Sequence, residues 1–270
     1  MSRDGTLAFV ANYGARTPGS TLSVIDLVAR KELRRVDVKP LLRPHGLAVA
    51  DGKVFFTSET EKMIGQYDPA SGEIARVFRT GQEGTHMVLV SRDAKKIVAV
   101  NIGSNTITAL ERAPATTNTA AAGWLETVIP VGRGPEGLDW SPNGKELWTA
   151  HSRDGGVSII DTAMKQVVER LNLQTKRSNR LKFTPDGRRV LVTDLDAGEL
   201  IVVDATTRKE ITRLKLGKSP EGILVAPDGS RAYVAVNGDN NVAIVDLKTL
   251  EETGRISTGN GPDGMAWAVR

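Results

Sequence analysis

The chain has 270 residues, 40% of them hydrophobic and 25% charged, and no cysteine. This is the balance of a globular protein, and it excludes disulfides, thiolate metal sites and cysteine nucleophiles. A net charge of +4 without dense Lys/Arg runs favours anionic ligands and does not describe a dedicated nucleic-acid binder.

Taken in chain order, the predicted elements repeat. MSRDGTLAFVAN opens with a tight turn and an alternating apolar strand, and LSVID follows as a second strand. ADGKVFFTSE, from Ala50, repeats the turn and strand, and VSRDAKKIVAVN repeats them from Val90. Residues 111 to 124, ERAPATTNTAAAGW, read as a tolerated small-residue insertion in a turn of the third unit. WSPNGKELWTAH with GVSIID, FTPDGRRVLVTD, and APDGSRAYVAVN with NVAIVD complete six copies. An apolar run such as GLDW or GILVA precedes each turn, and a third run such as EITRLKL follows, so each unit is four short antiparallel strands.

The turn positions Gly5, Gly52, Ala94, Gly144, Gly187 and Gly229 lie 42 to 50 residues apart, and the interval from Gly229 round to Gly5 is 46. Four strands in such a period make a propeller blade. The expected fold is therefore all-β, a single six-bladed β-propeller over residues 1–270. Its blades are expected at 262–270 plus 1–43, 44–84, 85–134, 135–177, 178–219 and 220–261. In this reading GPDGMAWAVR supplies the innermost strand of the first blade, so that pairing of the N- and C-terminal strands closes the ring.

PEGLDWSPNGKELWTAH, PEGILVAPDGSRAYVAVN and the VSIID, VAIVD and LSVID runs resemble the YVTN family of β-propeller repeats, found in YncE-like and surface-layer proteins. The resemblance covers essentially the whole chain and specifies fold better than function. It implies a periplasmic or cell-envelope location, although the start, MSRDGTLAFV, lacks the layout of a signal peptide. No apolar run approaches the roughly 20 residues of a membrane-spanning helix.

Registering the repeats turns alignment columns into rings around the axis. The middle position of the Pro-X-Gly segment holds His45, His86, Glu136, Asn179, Glu221 and Asp263. A second column, at the end of the next strand, is read as Asn12, Glu59, Asn101, His151, Asp194 and Asn237. The two strands form a hairpin, so both columns are expected at one end of the sheet, around the channel mouth. All three histidines of the chain fall in these columns. Imidazole and carboxylate suit zinc and other divalent first-row ions, so His45, His86 and Glu136 are candidate metal ligands. His151 and Tyr13 are candidate proton-moving groups, and Asn12, Asn101 and Asn237 read as turn formers. Arg43, Arg133, Arg153 and Arg16, with Glu221 and Asp263, are candidates for substrate binding. The arrangement is similar to that of the peptidylglycine amidating lyase, and VFFTSETEKMIGQYD resembles a repeat of virginiamycin B lyase.

Trp140, Phe183 and Trp267 share a column expected to fill the space between blades, and Asp139 and Lys182, on adjacent blades, are placed to pair. VGRGPEG lacks the lysine and helix of a phosphate loop, so no nucleotide cofactor is expected. The function expected is that of a metal-dependent lyase or hydrolase acting on a small anionic molecule. The alternative is a non-catalytic YVTN-type binding or surface module presenting loops to a protein or glycan. Only 12 aromatic residues are present, mostly within strands, which disfavours nucleic acid. The expected state is a monomer.

Overall fold

The computed structural model describes residues 1–114 and 123–268. Most of the insertion at 111–124 therefore lies outside the described residues. The chain is all-β, a six-bladed β-propeller, and it divides into two compact units.

The first unit, residues 1–130 with Ala268, holds three sheets. They are β1 (Leu7–Gly14), β2 (Pro18–Asp26) and β3 (Lys31–Asp37); β4 (Pro44–Ala50), β5 (Lys53–Ser58), β6 (Met63–Asp68) and β7 (Glu73–Arg79); and β8 (Thr85–Val90), β9 (Lys96–Asn101), β10 (Thr106–Arg112) and β11 (Trp124–Pro130). The second unit, Val131–Trp267, holds β12 (Pro135–Trp140), β13 (Glu146–His151), β14 (Val157–Asp161) and β15 (Gln166–Leu171); β16 (Ser178–Phe183), β17 (Arg189–Asp194), β18 (Glu199–Asp204) and β19 (Glu210–Lys215); and β20 (Pro220–Val225), β21 (Arg231–Val236), β22 (Asn241–Asp246) and β23 (Glu251–Ser257). In every sheet, sequential strands pair antiparallel.

The turns explain why the repeats read as they do. At the first turn of four repeats a Ser or Thr accepts a strand N–H and bonds the Asp or Asn two residues on, as Ser141 does with Glu146 N and Asn143 Oδ1. The Asp ending the third strand accepts the two N–H groups beyond it: Asp161 from Ala163 and Met164, Asp204 from Thr206 and Thr207, Asp246 from Lys248 and Thr249. These Asx turns are why IID and IVD close the second run of each repeat. Burial falls from second to fourth strand: β9 is buried at five of its six positions, whereas β3 is nearly all exposed. Lys31, Glu32, Arg34 and Arg35 on that outer strand keep its edge hydrated and unattractive to other strands.

Two expectations change. The first sheet has three strands, β1-β2-β3, and residues 262–268 carry no strand. Gly259, Gly261, Pro262 and Gly264 crowd the run that would close the ring by strand pairing, and glycine and proline weaken a ladder. Trp267 is 41% exposed and tilts against Tyr233 at 5.9 Å, while Phe183, in its column, is 5% exposed. The Asp139–Lys182 pair forms at 3.0 Å, and the same carboxylate accepts Phe183 N–H at 3.0 Å, tying β12 to β16.

Adjacent first strands approach one another at the glycine of Pro-X-Gly. A Cβ on Gly46 would lie 2.6 Å from His86 O, one on Gly137 2.6 Å from Arg180 Cα, and one on Gly222 2.0 Å from Asp263 O. Each glycine thus receives the backbone at or beside the X position of the following blade. Gly137→Ala is expected to cost about 1–3 kcal/mol in urea unfolding, because backbone cannot move aside as a side chain can. Gly254→Ala, where an added Cβ meets nothing, is the control and should leave the midpoint within about 0.5 kcal/mol of wild type.

Candidate functional site

The X residue sits on a β-bulge. In β4 against β5, Pro44 faces Ser58 and Leu47 faces Phe56, so His45 and Gly46 together oppose Thr57. The same interruption occurs after Thr85, Pro135, Ser178 and Pro220. A bulge re-aims its side chain out of the alternation of the strand. A threonine clips it in two sheets. Thr57 Oγ1 accepts Gly46 N–H and donates to His86 O, and Thr193 Oγ1 accepts Arg180 N–H and donates to Glu221 O.

The register also corrects the second column. Pro44, Thr85, Pro135 and Ser178 face Ser58, Asn101, His151 and Asp194, whereas Pro220 faces Val236. Glu59 and Asn237 therefore lie one residue beyond the others. Asn12, whose amide donates to Thr21 and Ser23 much as that of Asn101 donates to Thr106 and Thr108, belongs with Asn101, and Tyr13 with Glu59. A one-residue step turns a side chain to the opposite face. Asp194 accordingly accepts the N–H groups of Lys176 and Arg177 and holds the loop before β16, while Glu59 reaches the X residue His86.

His151 falls on the loop-holding side. It is 3% exposed, its Nδ1 lies 3.3 Å from Asp154, and Asp154 also accepts Arg133 N–H. An added Cβ at Gly132 would fall 2.1 Å from Nδ1, and Nε2 has no hydrogen-bond partner among the described residues. Burial pushes this imidazole below its usual value, only partly opposed by Asp154. The ring is thus packed beneath the loop leading into β12. Arg16, Arg133 and Arg153 are exposed, and Arg153 lies against Gly134.

In the first unit the sheet starts bring together Tyr13, Arg43, His45, Glu59 and His86. Tyr13 donates to Glu59 Oε2 at 2.7 Å, and Glu59 Oε1 hydrogen-bonds His86 Nδ1. His86 stacks on His45 with ring centroids 3.7 Å apart, and Tyr13 meets His45 edge-on at 5.3 Å. The Arg43 guanidinium lies 4.9 Å over the Tyr13 ring and donates to Ala15 O. Burial pushes the Glu59 carboxyl up, but its bond to His86, with Tyr13 and Arg43 adding, leaves it below the usual carboxylate range. Burial, then the Glu59 carboxylate, pushes the Tyr13 phenol up and keeps it protonated. Arg43 holds φ +51°, at a position where Gly84, Gly134 and Gly261 hold φ of +66°, +66° and +65° and Ser219 holds +52°. A left-handed non-glycine residue costs roughly 1–2 kcal/mol, and here it places a cation beside the phenol.

In the second unit Glu136 is 8% exposed and engaged by Asn179 Nδ2, with Arg180 Nη1 at 3.5 Å and Arg177 Nη2 at 3.9 Å. Arg180 also reaches Asp263 at 3.5 Å, and Asn237 donates to Glu221 at 3.4 Å. Burial, with Asp263 next, pushes Glu221 up to about 7. Arg180 and Glu59 are the functional candidates that the column reading missed. Arg180 is betrayed by standing where Gly46, Gly137, Gly222 and Gly264 occupy four of the other five repeats, Met87 taking the position in the third.

Among the described residues no group of three His, Asp or Glu side chains is disposed to hold a metal ion. His45 and His86 are 25° from parallel and stacked, so their in-plane lone pairs run alongside one another rather than converging on one ion. His86 Nδ1 is taken by Glu59, and Glu136 by Asn179 and Arg180.

The profile of the cytochrome D1 heme domain matches residues 99–228, somewhat less than half of the chain. No curated protein matches it by sequence. Among solved structures, the chain is similar to the hydrazine synthase of Kuenenia stuttgartiensis, with TM-score 0.80 and 20% identity over 97% of this chain and 86% of that one. A putative 6-phosphogluconolactonase of Bacteroides uniformis gives TM-score 0.78 and 16% identity over 95% and 84%. A streptogramin B lyase gives 0.66 and 20% over 80% and 69%. At these identities the likeness is one of fold. No helix of the described residues is long and apolar enough to cross a membrane.

The two perturbed carboxyls predict opposite pH behaviour. Glu59 is depressed in the folded state, so the stability it contributes is present above the usual carboxylate range and lost as pH falls through its folded value. Glu221 is raised, so between the usual range and about 7 the folded state holds the extra proton and stability falls as pH rises. Urea midpoints followed from about pH 3 to pH 8 are expected to show a shallower acid limb in Glu59→Gln and a flattened neutral limb in Glu221→Gln.

Proposed function

We propose that the chain is a propeller enzyme, a lyase or hydrolase that moves protons on a small anionic substrate at the Tyr13–Glu59–His86 cluster. The observation that carries this reading is the continuous chain from phenol to carboxylate to imidazole, built from three successive sheets and flanked by a cation in a strained backbone position. Glu59 accepts at His86 Nδ1, which fixes the ring and assigns Nε2 as the atom that takes or gives the proton. Tyr13 supplies the second hydrogen bond that keeps Glu59 ionised, and so acts on the base through it. Arg43 offers its fork to a carboxylate or phosphate of the substrate. The lactonase and lyase named among the fold neighbours support this class of chemistry.

A shared metal is not part of the proposal, because the stacked imidazoles and the committed Nδ1 do not fit one. Nor do the residues of the matched span fit a haem. Its one histidine is His151, whose ring is packed beneath the backbone of Gly132, and an axial ligand needs an open approach to the iron. A cavity of about 450 Å³ in the second unit is lined by Leu195, Asp196, Ala197, Gly198, Gly217, Lys218 and Ser219, none of them a haem ligand.

The test is turnover of a panel of anionic lactones and esters, 6-phosphogluconolactone among them, followed by acid release and by absorbance of any new double bond. His86→Asn is expected to lower kcat by about 10²–10⁴. Arg43→Gly should raise KM for anionic but not neutral substrates, and chelators should leave turnover unchanged. No turnover across the panel, or turnover indifferent to His86→Asn, would favour the non-catalytic binding module.

A further inference from the structure

We propose that the cluster of Glu136, Asn179, Arg180, Glu221 and Asp263 in the second unit is a binding site for the primary ammonium group of a small ligand, seated between the Glu221 and Asp263 carboxylates.

Three carboxylates come from three of four successive X positions: Glu136 on β12, Glu221 on β20 and Asp263 in the C-terminal segment. The intervening X residue is Asn179, and Arg180 stands next to it in place of glycine. Arg180 spans Glu136 and Asp263, each at 3.5 Å, and its side chain is 12% exposed. It is therefore spread between two anions rather than docked bidentately on either. Among the described residues, the hydrogen bond to the Glu221 carboxylate is a long 3.4 Å one from the Asn237 amide.

A second observation points to a missing donor. Asn179 is 4% exposed, its Nδ2 is committed to Glu136, and its Oδ1 is buried with no hydrogen-bond partner among the described residues. A buried amide oxygen without a donor is costly to maintain. Asn179 Oδ1 thus lacks a donor among the described residues, and the two partly exposed carboxylates are held only by long bonds, which leaves the cluster with acceptor capacity to spare. An ammonium group brings three N–H donors and a compact charge, whereas a quaternary ammonium brings no donor and a hydroxyl no charge.

The groups facing Glu221 are Asp263 and Glu136, which repel its charge, and Arg180 and Arg177, which favour it. Burial and Asp263 prevail, and without a ligand the carboxyl keeps a proton into the neutral range. An ammonium seated there replaces that proton as the neutralising charge. Binding is then coupled to proton release, and acidification competes with the ligand.

The experiment compares ethanolamine with choline, which differ in N-methylation, by calorimetry in two buffers of different ionisation enthalpy and by NMR of the Asn179 side-chain amide. A parallel pair, Nα-acetyl-lysinamide and its trimethyl-lysine counterpart, distinguishes a lysine side chain from a free amine as the source. The primary amine is expected to bind at least about tenfold more tightly than its quaternary counterpart, to shift the Asn179 amide, and to release about half a proton per site at pH 7. Glu221→Gln should abolish the proton release and weaken binding about tenfold, while unfolding as cooperatively as wild type. Equal binding within each pair, absence of binding, or binding without proton release that Glu221→Gln leaves unchanged would overturn the proposal. The result is read without turnover, so it stands or fails apart from the Tyr13–Glu59–His86 reading.

Discussion

The close approach of neighbouring first strands governs this structure. Where the backbone at one blade's X position presses against the glycine of the blade before, no Cβ can be accommodated, and the strand bulges. The bulge has two consequences that cannot be separated. It lets successive sheets pack with little space between their first strands, and it takes the X side chain out of the pleat, so that it faces other X side chains instead of the sheet interior. Threonine hydroxyls stitched across the bulge at Thr57 and Thr193 make the arrangement rigid by satisfying the N–H that leaves the ladder. Sites in this protein are therefore assembled from residues about 40 to 50 positions apart with little help from flexible loops.

The period was legible in the sequence because the same local chemistry recurs in most copies. Ser or Thr at the first turn, and Asp at the end of the third strand, bond nearby backbone and need nothing from the rest of the fold. Pro-X-Gly was legible for a related reason: at Gly46, Gly137 and Gly222 the following backbone leaves no room for a Cβ, so glycine marks the column although Met87 and Arg180 depart from it. The pairing of Asp139 with Lys182 followed from the same registration. What failed was the second column. Aligning the last polar residue of each strand put Glu59 beside His151, although the ladder places them one residue apart and on opposite faces. Polarity alone could not show this, because a loop-holding position and a site-facing position both favour polar side chains. The hydrogen bonds of the following loop, as at Asp194, decide between them.

Arg180 and Arg43 show a second limit of pattern reading. Each stands in a column where glycine recurs: Arg180 beside the bulge, with Met87 the other departure, and Arg43 at the left-handed residue before it, where Ser219 also holds φ +52°. At these two positions the side chain gains a contact that glycine could not make. Arg180 does so by spanning two carboxylates, and Arg43 by lying over Tyr13. Departures from a structural repeat are thus more informative about function than the repeat itself.

Equivalent repeat positions give opposite electrostatics in the two units. In the first, one carboxylate, Glu59, is surrounded by donors from a phenol and an imidazole, with a guanidinium nearby, and it stays ionised despite burial. In the second, two guanidiniums, Arg177 and Arg180, face three carboxylates, and Glu221 is left protonated at pH values where an exposed glutamate would be charged. Nothing in the backbone distinguishes these outcomes, since both clusters stand on bulges of the same form. The difference lies in the ratio of donors to acceptors that the X positions and their neighbours supply. A propeller of this kind can change the chemistry of a site by one substitution per blade without disturbing the strands that carry it.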